Sequence, residues 1–153
     1  MAVRFRFAAE KDCALILGFI RVLAEYEKMS DQVVATEEML REWIFEKGRA
    51  EVLFVCEEDK EVGFALFFHN FSTFLGRAGL YLEDLLVLPE YRGRGVGRQV
   101  IRALMDRGRQ LGCRTLGVRE IYDFNDASIR CFMACGFKPV ERTDKGWRYE
   151  ATL

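Results

Sequence analysis

Proline is nearly absent from this chain: there are two in 153 residues, and no proline-rich or repeated segment marks a linker. Histidine occurs once, at His69, in a strand-like run with no cysteine beside it, so it reads as a packed or surface residue rather than half of a relay. The five cysteines (Cys13, Cys56, Cys113, Cys131, Cys135) are odd in number and contain no Cys-x-x-Cys pair. Neither a disulfide framework nor a zinc site is supported, and reduced, mostly buried thiols in a cytoplasmic protein are expected. No metal site is expected. The formal net charge of −1 argues against nucleic acid as a partner. No apolar run reaches membrane-spanning length, so no membrane association is expected. The stretch from Met1 to Phe7 alternates arginine with apolar residues and lacks a signal-peptide core.

What is present describes a packed globular chain. Hydrophobic residues make up 50% and charged residues 31%, which is core-forming rather than disordered. The length fits one domain over residues 1–153. Charge is unevenly spread. Between Arg92 and Arg109 six arginines stand against Asp106, which suits a polyanion. Between Ala24 and Glu42 six acids stand against Lys28 and Arg41, which suits a cation. Solvated helix faces are the alternative for both.

Periodicity supplies the elements. Val3 to Phe7 alternates as a first strand, with Val3, Phe5 and Phe7 on one face. Asp12 is placed to cap a helix running to about Tyr26, with Leu15, Ile16, Phe19, Ile20 and Leu23 as its apolar stripe. Thr36 followed by Glu37 and Glu38 starts a second helix to about Glu46, ended by Gly48. Glu51 to Glu57 reads as a strand. Asp59-Lys60 turns it into Val62 to Phe71, and Gly76 to Gly79 turns that into Leu80 to Leu88. A third helix carries Val96, Val100, Ile101, Leu104, Met105 and Leu111 on one stripe, with Gly112 at its end. Arg114 to Arg119 reads as a strand, and Asn125 or Asp126 caps a fourth helix ending at Gly136. A hairpin, Phe137 to Val140 with Trp147 to Thr152, closes the chain. The order β-α-α-β-β-β-α-β-α-β-β predicts a mixed α/β (α+β) fold with flanking helices on a largely antiparallel sheet.

The run Arg92-Gly93-Arg94-Gly95-Val96-Gly97 lies between a strand and a helix. Converging backbone amides and a helix start suit a phosphate or pyrophosphate there. A P-loop needs Gly-Lys-Ser/Thr, which is missing; a dinucleotide fingerprint counted from Gly93 meets Arg98 where its last glycine belongs. What remains is Arg-x-x-Gly-x-Gly, or else an ordinary strand-to-helix turn. The hexapeptide resembles the acetyl-CoA signature of the GNAT acetyltransferase superfamily. Several segments resemble its spermidine/spermine (diamine) N-acetyltransferase branch: Leu80-Tyr81-Leu82-Glu83-Asp84-Leu85 before Tyr91-Arg92-Gly93, Leu23-Ala24-Glu25-Tyr26-Glu27, Asn125 with Ser128-Ile129, and Gly146-Trp147-Arg148.

The resemblance implies acetyl-CoA as co-substrate, with pantetheine slotted between two splayed strands. Leu85, Leu86 and Val87 would offer it main-chain groups, one of them an oxyanion donor. Arg92, Gly93, Arg94, Gly95, Val96, Gly97 and Arg98 would bind pyrophosphate. Asn125 and Ser128 would bond the pantetheine arm or its neighbouring backbone, a plain helix cap being the alternative for Asn125. An acceptor amine has a pKa of about 10, so about one in a thousand is neutral at pH 7 and a base must take its proton. Glu83 is the candidate. Adjacent strand residues face opposite ways, so Glu83 and Asp84 are not expected to share a pocket, and the resemblance selects Glu83.

One departure stands out. The family's tyrosine acid, four residues after the serine, is here Phe132, which implies slow turnover or a substitute such as Tyr122 or Tyr81. The acids near Tyr26 and Glu27 suggest a small cationic acceptor: a polyamine, diamine or lysine-like amino acid. The expected function is N-acetyl transfer to its primary amine by direct attack in a ternary complex. A protein or peptide N-acetyltransferase and a non-catalytic acyl-CoA-binding module are the alternatives. The resemblance also implies a homodimer, for which apolar edge strands such as Phe64 to Phe71 give weak support.

Overall fold

The structure, a computed structural model, describes residues 2–153. Met1, the start of the amino-terminal stretch read above, lies outside the described residues. The elements follow the expected order. They are β1 (Arg4–Phe7), α1 (Cys13–Tyr26), α2 (Glu37–Leu40), β2 (Glu51–Glu57), β3 (Lys60–Ser72), β4 (Arg77–Val87), α3 (Val96–Gln110), β5 (Thr115–Tyr122), α4 (Asp126–Ala134), β6 (Lys138–Arg142) and β7 (Gly146–Thr152). The strands form one seven-stranded sheet in the order β1-β2-β3-β4-β5-β7-β6. All neighbours are antiparallel except β4 and β5.

The sheet is buried on both faces, and the period of two in β2 shows how. Leu53 and Val55 point to a core shared with Val100, Ile101 and Leu104 of α3 and Phe132 of α4. Val52, Phe54 and Cys56 point the other way, to Ile16 and Phe19 of α1 and to Ile44. Phe19 stacks on Phe64, with ring centroids 5.4 Å apart. A two-sided core explains why β2 and β3 read as continuous apolar runs rather than alternating ones.

Several boundaries differ from expectation for local reasons. The β3–β4 turn lies before Gly76, which takes the left-handed φ of +67°, so β4 begins at Arg77 rather than Leu80. β5 continues past Arg119 to Tyr122, because pairing with β7 resumes at Ile121 after a bulge. The helix begun at Thr36 widens into π-type turns over Arg41–Glu46. Leu111 falls beyond α3 and is exposed, and so is Phe7, whose ring lies under the Arg107 guanidinium. β3 sits between β2 and β4, so Phe64 to Phe71 is an interior strand and not an edge. The edges are β1 and β6.

Asp12 stands at the start of α1, but its carboxylate does not cap that helix. It accepts from the Ala9 backbone N–H (2.8 Å) and from Arg6 (2.9 Å), and Arg6 also donates to Glu61 of β3 (2.6 Å). The Arg6 guanidinium lies 4.7 Å from the centre of the Phe54 ring. Asp12 is only 7% exposed, and the Arg6 hydrogen bond holds its carboxyl below the usual carboxylate range. This triad ties the start of α1 to β1 and β3. Removing one member leaves the others partly desolvated and unpaired. Asp12→Ala should therefore lower stability by about 1 to 3 kcal/mol in chemical denaturation.

Candidate active site

β4 and β5 pair over three positions only: Leu80 with Leu116, Tyr81 with Gly117, and Leu82 with Val118. Beyond these the strands part. β4 stays on β3 as far as Val87, whereas β5 continues beside β7. The gap is a cleft of about 640 Å³, walled also by the end of α1, the start of α3 and α4.

The pairing decides which backbone groups face it. Leu88 N–H donates to Val62 O (2.8 Å), and Phe64 stands opposite Leu86. Strand peptide groups alternate between the two edges. Leu86 is thus turned toward β3, leaving the main-chain groups of Leu85 and Val87 at the open edge. The Val87 carbonyl is already engaged, accepting from Arg92 Nε at 2.8 Å. The same guanidinium lies 4.5 Å from the centre of the Tyr26 ring. Arg92 therefore covers one face of Tyr26 instead of leaving it open for an acceptor cation.

At the loop end, Gly93 and Gly95 have φ of +75° and +80°, and nothing lies within 4 Å of where a Cβ would project. These left-handed residues leave the backbone approachable just where α3 begins at Val96. Gly93, Gly95, Val96, Gly97 and Arg98 line the cleft. Arg94 does not: its guanidinium lies over the Tyr91 ring at 5.6 Å. Residues of this kind fit a diphosphate: glycine backbone, a helix start and Arg98 all line this end of the cleft. Asn125 and Ser128 also line the cleft, and Asn125 Oδ1 caps α4 by accepting from the Ser128 N–H at 3.2 Å.

The other end is acidic. Tyr26, Glu27 and Glu83 line it as expected, and Asp84 and Arg119 join them. The expected separation of Glu83 from Asp84 fails because β4 carries a bulge: Leu66 faces Asp84 while Phe67 faces Leu82. Glu83 is the extra residue, and an extra residue breaks strand alternation. Burial, then the charges of Glu83 and Glu27, push the Asp84 carboxyl up to about 6, against the pull of Arg119. Burial likewise raises Glu27. Strand alternation sets Asp84 aside in the sequence, and the bulge that overrides it is fixed by pairing; Arg119 carries no sequence signal, standing at the end of the strand read from the sequence.

Phe132 is 4% exposed and meets Phe137 edge-on at 5.0 Å, placing an apolar ring in the cleft wall. Of the two substitute tyrosines, Tyr122 lines the cleft and Tyr81 does not; Tyr81 packs on Phe68 at 5.1 Å. A cysteine relay is poorly served. Cys131 lines the cleft, but burial raises its thiol, and His69 lies 3.8 Å from Cys113, outside the cleft.

Residues 19–137 match the Acetyltransferase (GNAT) family model. The chain belongs to the GNAT acetyltransferase family. A thialysine N-epsilon-acetyltransferase from Bos taurus is 38% identical over 154 residues, spanning 95% of this chain and 89% of that protein. The GNAT fold is seen again in the ribosomal-protein-alanine N-acetyltransferase from Brucella melitensis (TM-score 0.80, 21% identity, 98% and 99% coverage). It is also that of the PaiA N-acetyltransferase from Thermoplasma acidophilum in complex with coenzyme A (TM-score 0.70, 14% identity, complete coverage of both chains). Among the described residues no helix is long and apolar enough to cross a membrane.

The raised Asp84 carboxyl has a stability consequence. An acid whose pKa is higher in the folded state costs stability when ionised, and the cost fades as pH falls through 6 toward the ordinary 3.8. Asp84→Asn should raise stability at pH 8 by about 1 to 3 kcal/mol and lose that advantage below about pH 5, as read by thermal unfolding across pH.

Proposed function

We propose that this chain is a single N-acetyltransferase domain moving an acetyl group from acetyl-CoA to a primary amine of a small cationic acceptor, of which a lysine-like amino acid is the best supported. The observation that carries the reading is the cleft itself, open between β4 and β5, with a glycine-arginine helix start at one end and carboxylates at the other. The family and the thialysine-acetylating relative support the same direction.

Acetyl-CoA supplies an activated acyl thioester. The amides of Gly93 to Arg98 and the Arg98 side chain would hold its diphosphate. Leu85 and Val87, on the open edge of β4, would line up pantetheine in the manner of an added strand, and a free amide among them would face the thioester oxygen. Asn125 and Ser128 border the same path. Arg92 braces the entry by joining Val87 to Tyr26.

Glu83 and Asp84 take the acceptor's proton, directly or through water. The Asp84 carboxyl, pushed up to about 6 by burial first and then by the Glu83 charge, keeps a proton acceptor close to the working pH. Glu27 adds charge that draws the cationic amine in. The amine then attacks directly, because burial keeps the cleft thiol of Cys131 raised against the pull of Arg98 and Arg102. The reading also takes in a homodimer, supported by the family resemblance, and a cytoplasmic location, supported by the unpaired cysteines.

The test is acetylation of lysine, thialysine and diamines by the purified chain, followed by thiol release. Acetyl-CoA binding with no amine acetylated would instead mark a non-catalytic module. Glu83→Gln should lower kcat by roughly 10²- to 10⁴-fold with acetyl-CoA binding retained. The acid limb of kcat/KM should lie near pH 6 and disappear in Asp84→Asn. Phe132→Tyr should raise kcat if protonation of the leaving thiolate limits turnover; an unchanged kcat would show that water or Tyr122 already serves.

A further inference from the structure

Arg119 is placed where a polyamine site has no use for it. It follows Val118, and Glu83 follows Leu82, the last paired residues before β4 and β5 part. The two side chains therefore meet at the point of divergence, on the floor of the acidic end. Their closest approach is Nη1 to Oε2 at 3.7 Å, with both side chains more than a third exposed. That is too long for a hydrogen bond, and a solvated pair of this kind contributes little. The guanidinium therefore keeps its donors available to the cleft. Glu27, Glu83, Asp84 and Tyr122 are the titratable groups around it. A fixed cation here would repel an acceptor carrying only positive charges.

We propose that Arg119 binds a carboxylate on the acceptor, so that the substrate is a free amino acid with a side-chain amine rather than a polyamine. This rests on the amine-acetyltransferase reading above and narrows it. A zwitterionic acceptor satisfies both halves of the acidic end at once. Its reacting amine meets Glu83 and Asp84, and its carboxylate takes the planar guanidinium in a two-pronged hydrogen bond that Glu83 does not make. An acceptor lacking the carboxylate leaves the guanidinium with only its long, solvated contact to Glu83 and sets it against an incoming cation. Discrimination by a lost charged hydrogen bond is large compared with that of a methylene. Arg119 is thus a specificity-determining residue; it does not handle the transferred proton.

The experiment uses acceptors matched in the reacting amine: lysine, lysinamide and 1,5-diaminopentane. Wild-type kcat/KM for lysine should exceed that for lysinamide and the diamine by about 10- to 100-fold. Arg119→Gln should bring the ratio to within about threefold by raising the KM for lysine, and Arg119→Lys should keep part of the preference. Coenzyme A binding by calorimetry reports that each variant is folded; if Arg119→Gln fails it, Arg119→Lys carries the comparison. A lysine preference unchanged in the folded variants, or a wild type that favours the diamine, overturns the proposal. Should the wild type acetylate none of the acceptors, the acetyltransferase reading falls separately. Calorimetric titration of lysine and 1,5-diaminopentane into coenzyme A-loaded protein then decides, with tighter lysine binding lost in Arg119→Gln supporting the carboxylate site and equal binding refuting it.

Discussion

The molecule depends on β4 and β5 giving up their pairing after Leu82 and Val118. Peptide groups removed from a ladder need other partners. β4 finds them on one edge only, in β3, and its other edge is left at Leu85 and Val87 for whatever enters. β5 finds its partners in β7. The sheet is therefore continuous in order yet split along half its depth. Helices on both faces make the split tolerable: α1 and α3 pack their apolar stripes against the sheet and hold the diverging strands apart. An extended ligand arm with its own amides suits such an edge, for the reason that a strand does.

Charge is sorted along the same split. The arginines come from the loop after β4 and from α3, where the helix start adds to them; the carboxylates come from α1 and from the bulged turn of β4. One bulge accomplishes the second half. By placing Glu83 out of phase with its neighbours it lets two adjacent acids enter one cavity, which regular strand geometry forbids. Burial in that cavity, and then the Glu83 charge, lift the Asp84 carboxyl. A backbone irregularity at one residue thus becomes an acid–base property.

The sequence revealed the elements and their order because both cores are built from strong periodic signals: the stripe of α3, the runs of β2 and β3, the Thr36 and Asn125 caps. The glycine-arginine loop was legible too, since its chemistry is written locally. Features that depend on partners were not legible. The bulge at Glu83 is a consequence of register with β3, and nothing in Leu82-Glu83-Asp84-Leu85 distinguishes it from a regular strand. Arg119 looked like the last residue of a short strand because the β5 bulge interrupts its apolar pattern. Asp12 had the right residue type for a cap, but Arg6, six residues earlier, offers a charged partner that outcompetes a helix amide. The edge assigned to Phe64 to Phe71 failed for a related reason: sequence order does not say which strands finish outermost.

Phe132 shows what a substitution in such a wall does. Its ring is held edge-on to Phe137, so it is a packed part of the α4–sheet core and not a mobile surface residue. A hydroxyl missing from this place cannot be restored by Tyr81, which is half-buried, packed on Phe68 with Arg148 near its ring, and does not line the cleft. Tyr122 is different: it sits on β5 beyond the split, stacked on Phe124 at 5.6 Å, in the cleft wall. A thiol of pKa about 8.5 is a moderate leaving group that water can protonate. The demand on an acid is therefore small compared with the demand on the base, which must work against an amine of pKa about 10. On the proposed reading, a phenylalanine at position 132 beside two carboxylates, one of them raised to about 6, is chemically consistent with that imbalance.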